Sequence, residues 1–101
     1  MKSLGVEGGD ALLIQLKIYP NPASNLLNVE VEAGKSSVMD IEMVDMLGVV
    51  HLKTTAGTLK AGYNKFQVNI SNLPDGVYFI LLKVESGGTF SEYSQRIIIV
   101  H

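Results

Sequence analysis

Few residues in this sequence could carry out catalysis. A serine or cysteine hydrolase needs a nucleophile, a base and an acid that orients the base, yet the 101 residues include no cysteine and only two histidines. His51 falls in a segment that predicts a strand, and His101 is the last residue, where chains usually fray. Two histidines so placed make a poor transition-metal site, because metal ligands must converge on one centre. The sequence therefore predicts no catalytic residue and no enzyme activity.

Acidic residues recur at alternate positions of two segments and could in principle hold calcium through carboxylate oxygens. No Asp-x-Asp-x-Asp-Gly loop is present to fix the coordination geometry. Their alternation with apolar residues indicates instead that these side chains face water. We therefore expect no metal ion and no cofactor. The acidic positions are Glu30, Glu32, Asp40, Glu42 and Asp45.

Charge and aromatic content argue against several classes of ligand. The formal net charge is −2, and the 8 lysines and arginines are scattered along the chain, so no basic stripe is present to bind a phosphate backbone. We expect no nucleic-acid partner. Gly87-Gly88 fits a hairpin turn better than a phosphate-binding loop. A glycan-binding surface would use exposed aromatic residues, and tryptophan is absent.

The element around which the other strands must pack is the apolar segment from Val77 to Leu82. The turn sequence Leu73-Pro74-Asp75-Gly76 comes directly before it, because proline fixes φ, aspartate bonds the local backbone and glycine closes the turn. Every side chain of the apolar segment is aliphatic or aromatic, so both faces need cover. This pattern predicts a central strand.

Segments of alternating apolar and polar residues on either side predict the other strands. One hairpin is expected to turn at Asp45 to Gly48, with Val50 and Leu52 on one face of the return strand and a polar connection from Ala56 to Gly62. No window shows the spacing of an amphipathic helix. We expect an all-β fold, an immunoglobulin-like antiparallel β-sandwich of about seven strands. The domain would span 15–101, with 1–14 as a linker or an extra N-terminal strand.

No export or membrane segment is evident near the start of the chain. The longest apolar runs are far shorter than the roughly 18 residues that a membrane helix needs, so no membrane insertion is expected. Glu7 to Asp10 would interrupt the apolar region of a signal peptide. The sequence is therefore expected to be either a cytosolic protein or a piece of a longer chain.

Four segments together resemble a known family. Their order, their spacing and their position at the chain end are similar to those of the type A C-terminal sorting domain of the type IX (Por) secretion system, over Leu16 to His101. The segments are Tyr19-Pro20-Asn21-Pro22-Ala23-Ser24-Asn25, Val44-Asp45-Met46-Leu47-Gly48, the run from Ile70 to Phe79, and Gln95-Arg96-Ile97-Ile98-Ile99-Val100.

The resemblance implies a non-catalytic module at the C-terminus of an exported Gram-negative protein, whose N-terminal cargo domain could be a protease or a glycoside hydrolase. The type IX outer-membrane secretion machinery would recognise the folded module after the protein has reached the periplasm. A sortase-like peptidase would then remove it, with cleavage expected in Met1 to Ala11 or upstream, and the cargo would reach the cell surface or the medium. The alternative is an immunoglobulin-like carbohydrate-binding or adhesion module of a surface enzyme, since fold does not fix function.

The resemblance also assigns the sorting motifs residue by residue. For each position an architectural role is the simpler interpretation, because prolines end a ladder, glycines form turns and a tyrosine fills a core. Arginine stands at 96, where lysine is commoner in the family. The surface that the secretion machinery recognises is expected to be the edge of the terminal strand, Arg96 to His101, which would pair with a partner sheet. The motif residues are Pro20, Asn21 and Pro22, Gly48, Gly76 and Tyr78, and Arg96.

Overall fold

The computed structural model describes residues 2–3 and 12–101, and within these residues the chain is all β. Seven long strands agree with the predicted number, and a two-residue strand precedes them. No helix of the described residues has the length and hydrophobicity to span a bilayer. The strands are β1 (Lys2–Ser3), β2 (Leu13–Tyr19), β3 (Leu26–Ala33), β4 (Ser37–Asp45), β5 (Val50–Leu59), β6 (Gly62–Asn69), β7 (Gly76–Ser86) and β8 (Thr89–Ile99).

The strands form two four-stranded antiparallel sheets packed face to face. The first sheet has the order β1-β2-β3-β6 and the second the order β5-β4-β7-β8. Because side chains alternate across a strand, every second residue enters the core between the sheets. In β3 these residues are Leu27, Val29 and Val31, and all three are buried. The predicted β-sandwich is confirmed.

The predicted central strand is β7, which lies between β4 and β8. Its inward side chains, among them Ile80 and Leu82, are fully buried. The outward side chains of Val77, Phe79 and Leu81 are only half-buried, because no further layer covers this face in the described residues. The expectation that both faces are covered is therefore wrong for the outer face.

The edge strand β5 departs from regular pairing at two points. Met43 lies opposite Leu52 and Val44 lies opposite Val50, so His51 is an extra residue. A β-bulge of this kind reverses the face on which the following residues lie. Val50 consequently points outward with Val44, whereas Leu52 packs against the core. The prediction that Val50 and Leu52 share a face was wrong.

A second bulge allows β5 to continue beyond its expected end. Met39 lies opposite Gly57 and Asp40 opposite Thr55, which leaves Ala56 as the extra residue. The strand then runs to Leu59, whose side chain is fully buried. The predicted polar connection at 56–62 was therefore wrong, and only residues 60–61 join β5 to β6.

The chain enters β2 at the end of the sandwich formed by the turn between β3 and β4. The Gly34 N–H donates to the Leu12 carbonyl at 3.0 Å, and the Leu13 N–H donates to the Tyr93 hydroxyl oxygen at 3.0 Å, which connects the two sheets. Leu12 and Leu13 are buried in the common core. Most of the segment 1–14, including most of the expected cleavage region, lies outside the described residues, and the boundary at 14 stays a prediction.

Candidate recognition end of the sandwich

The Pro-Asn-Pro segment follows β2 and lies along the outer edge of β8. The side-chain amide of Asn21 donates to the Arg96 carbonyl at 3.1 Å, and its oxygen accepts the Ile98 N–H at 2.9 Å. Ala23 continues the pairing, since its N–H donates to the Ile98 carbonyl at 2.8 Å and its carbonyl accepts the Val100 N–H at 2.9 Å. An asparagine amide has one donor and one acceptor side, so it substitutes here for the backbone of a neighbouring strand.

This pairing changes the expectation for the terminal strand. Four of the edge groups that a partner sheet would need are already bonded to residues 21 and 23: the Arg96 carbonyl, the N–H and carbonyl of Ile98, and the Val100 N–H. At these four groups the terminal strand therefore does not present the open edge that was expected, and recognition of Arg96 to His101 by a partner stays a prediction. A partner strand could pair there only after the Pro-Asn-Pro segment had left.

The Asp45 to Gly48 turn is built as predicted. The Oδ1 atom of Asp45 accepts the N–H groups of Leu47 and Val49 at 2.8 and 3.0 Å, and Gly48 takes a φ of 86°, which a residue with a Cβ adopts only with strain. The Oδ2 atom lies 2.8 Å from His51 Nε2. The hydrogen bonds from His51 and from the two backbone amides lower the pKa of Asp45, since they stabilise the carboxylate.

Tyr78 connects this turn to the next one. Its ring is buried and meets His51 edge-on, with 5.3 Å between ring centroids. Its hydroxyl donates to the Pro74 carbonyl at 2.6 Å, which closes the turn before β7. Burial raises the pKa of Tyr78, and the nearby carboxylates of Asp45 and Asp75 raise it further. The predicted core position of Tyr78 is confirmed.

The last residue is held in place at the same end. The His101 N–H donates to Asp75 Oδ1 at 3.1 Å, and His101 Nε2 lies 2.6 Å from the Leu73 carbonyl. The expectation that His101 frays was wrong. The reason is that the turn before β7 offers both a carboxylate and a free carbonyl to the chain end.

Strand register brings all the predicted motif residues to one end of the sandwich. Asp45 lies opposite Tyr78, Tyr78 lies opposite Ile97, and both Gly76 and Ala23 pair with Ile99. We call this region the motif end. It consists of the segment 20–23, the turn 45–48, the turn 73–76 and the chain end 96–101.

No group of three His, Asp or Glu residues within 2–3 and 12–101 could hold a metal ion. The carboxylate of Glu30, on the opposite sheet, accepts from the hydroxyls of Tyr19 and Tyr63. These bonds, with the charges of Lys17 and Lys65, lower the pKa of Glu30.

Comparison with known families identifies this arrangement. The family described as "Secretion system C-terminal sorting domain" matches residues 17–100, which contain every motif residue of this end. The chain belongs to this family. It is therefore a type IX sorting domain, a non-catalytic module whose presence implies export and an interaction with the type IX secretion machinery.

Similarity to solved structures supports the fold of the sorting domain and nothing more. The crystal structure of the β-glucuronidase of Parabacteroides merdae matches with a TM-score of 0.58 and 18% sequence identity. The match covers 86% of this chain but only 13% of the β-glucuronidase. No curated protein sequence matches the sorting domain.

Sequence reasoning missed the exposed apolar tip of the hairpin between β4 and β5. Met46, Leu47 and Val49 are 70%, 89% and 54% exposed. The signal was present in the sequence, because the turn has apolar residues where turns are normally polar. How each motif residue acts in sorting stays a prediction.

Proposed function

We propose that this sorting domain directs an exported cargo protein, joined to its N-terminal side, through the type IX machinery to the cell surface or the medium. The observation that carries the proposal is the family match over 17–100, within which four distant segments converge on one end of the fold. The route runs through the periplasm, and a sortase-like peptidase removes the domain after passage. The cargo is an enzyme such as a protease or a glycoside hydrolase.

The geometry supports recognition of a folded surface rather than of a linear sequence. Asn21 and Arg96 are 75 residues apart and share a hydrogen bond, and Asp75 holds His101. The surface at the motif end exists only when the sandwich is folded. Residues 12 and 13 enter at the opposite end, so a cargo joined there leaves the motif end accessible.

Transfer of export to a reporter tests the proposal. Residues 1–101 are fused behind a signal peptide and a fluorescent protein, and surface fluorescence is compared between a bacterium with the type IX machinery and a strain lacking it. We expect surface fluorescence only where the machinery is present. A folded fusion that stays in the periplasm of both strains would refute the sorting role.

The alternative, a carbohydrate-binding or adhesion module, would use the outer face of the first sheet. Tyr63 is 65% exposed there, and its hydroxyl donates to Glu30 at 3.0 Å. Both oxygens of Glu30 are already bonded to tyrosines, which leaves this face less suited to hold a ligand than the motif end. Retardation on glycan affinity gels, lost in Tyr63→Ala, would favour this alternative.

A further inference from the structure

The outer face of the second sheet is apolar next to the motif end. Val44 pairs with Val50 on one side and with Phe79 on the other, and Phe79 pairs in turn with Arg96. One row across all four strands thus carries three apolar side chains and one guanidinium. Val77 and Ile98 form the next row. We call these six residues, Val44, Val50, Val77, Phe79, Arg96 and Ile98, the Arg96 face.

This apolar surface is continuous with the exposed hairpin tip. Val50 is 49% exposed, and the exposed residues Leu47 and Val49 precede it in the turn. Further along the sheet the outer face becomes polar, since Glu42 accepts from Lys83 at 3.2 Å. Contiguous exposed apolar surface that ends in polar residues is typical of protein interaction sites.

Arg96 is the only charged residue of the Arg96 face, and its charge has no partner in the described part of the chain. Its backbone carbonyl accepts from Asn21, but within 2–3 and 12–101 no carboxylate, carbonyl or ring binds its guanidinium. On the same side of the sheet Lys83 is paired with Glu42, and Lys53 lies opposite Glu42 in the polar part of this face. An exposed guanidinium beside apolar side chains is complementary to a carboxylate, which it can bind through two parallel hydrogen bonds.

Resting on the proposed function, we infer that the Arg96 face docks onto an apolar protein surface of the type IX machinery that places a carboxylate against Arg96. Charge argues against an anionic lipid, because the chain carries a net charge of −2, Asp45 directly follows Val44, and Asp75 lies two residues before Val77 in the sequence. A second copy of the chain fits poorly, since a two-fold contact centred on Arg96 would bring two guanidinium groups together.

The experiment measures binding of the labelled full chain to outer-membrane vesicles, opened so that their periplasmic face is accessible, from a type IX-competent strain and from a strain lacking the machinery. Arg96→Gln is expected to weaken machinery-dependent binding at least about tenfold, because a desolvated carboxylate would lose its partner. Arg96→Lys keeps the charge without the fork and should weaken binding about threefold. Val50→Thr, similar in shape but polar, should also weaken it about threefold.

Lys17→Gln is the matched control, since it removes one exposed positive charge from the outer face of the other sheet. It should bind within about twofold of the unsubstituted chain. The Arg96 variants should keep Tm within about 2 °C, because the guanidinium has no bond to lose within the described residues.

The outcomes separate this inference from the proposed function. Absence of machinery-dependent binding by the unsubstituted chain would overturn both. If the Arg96→Gln and Lys17→Gln variants showed the same machinery-dependent binding, the inference alone would be overturned. If the chain bound equally to both kinds of vesicle and this binding depended on Arg96, the face would be assigned to lipid. If the chain sedimented as a dimer that Val50→Thr dissociates, the face would be assigned to a second copy. Either result would refute docking on the machinery.

Discussion

Replacing Asn21 by alanine should release the C-terminal half of β8 from the Pro-Asn-Pro segment. The amide makes two hydrogen bonds, one to the Arg96 carbonyl and one from the Ile98 N–H. A hydrogen bond contributes about 0.5–1.5 kcal/mol net, and water can replace part of it at this exposed site. We therefore expect Asn21→Ala to lower the free energy of unfolding by about 1–2 kcal/mol.

The change can be measured by urea unfolding followed with far-UV circular dichroism. For a domain of this size the expected loss corresponds to a fall in Tm of roughly 5–10 °C. Amide hydrogen exchange locates the effect, because the Ile98 N–H should exchange at least about tenfold faster. The Val100 N–H, which bonds to the Ala23 carbonyl, should keep more of its protection.

Asn72→Ala provides the control, since Asn72 is exposed near the motif end and its amide makes no hydrogen bond with a described residue. It should change stability by less than about 0.5 kcal/mol. Asn21→Asp keeps the acceptor and loses the donor, so it should also destabilise the fold. If Asn21→Ala unfolded at the same urea concentration as Asn72→Ala, with Ile98 still protected, the side chain would not be what holds β8.

Two further substitutions test the turn between β4 and β5. The folded-state pKa of Asp45 is lowered, so its carboxylate stabilises the fold above its unfolded pKa, and this stabilisation is lost as pH falls through the folded pKa. The Asp45→Asn variant should therefore be less stable than the unsubstituted domain at about pH 6 and approach its stability at about pH 2. Urea unfolding at a series of pH values measures this difference. A difference in the free energy of unfolding that stays the same at every pH would contradict the prediction. Gly48→Ala should reduce stability by about 1–2 kcal/mol because of its φ of 86°. Gly34→Ala, whose Cβ would meet Ile14 at 3.8 Å, should be nearly neutral, and urea unfolding of both glycine variants measures the difference.

Local sequence patterns predicted most of the strands but not the irregular pairing of β5. Alternation is reliable in β3, where Leu27 to Val31 take every second position in regular register. In β5 the same rule fails, because the extra residues His51 and Ala56 each shift the alternation by one position. As a consequence Leu59 is buried, although the sequence pattern predicted a loop at this position. A bulge depends on the partner strand, which a single segment does not show.

The motif end illustrates a second limit of sequence reasoning. Pro20 and Pro22 correctly predict where β2 stops, since proline cannot donate to a ladder. The role of Asn21 could not be predicted, because its partners lie 75 and 77 residues away and are backbone groups common to all residues. The same holds for His101, which is bonded only because the turn at Asp75 reaches the chain end.

The placement of chain entry and motif end at opposite ends has a mechanical consequence. β2 runs from Leu13 to Tyr19 between these ends and is bonded to β3 along its length. Tension between a cargo attached ahead of Leu13 and a clamp on the motif end acts along β2, at right angles to these hydrogen bonds. In such shear loading the bonds must break together, whereas a hairpin pulled from its open end loses them one at a time. The sandwich thus resists force in the direction in which a cargo would be drawn.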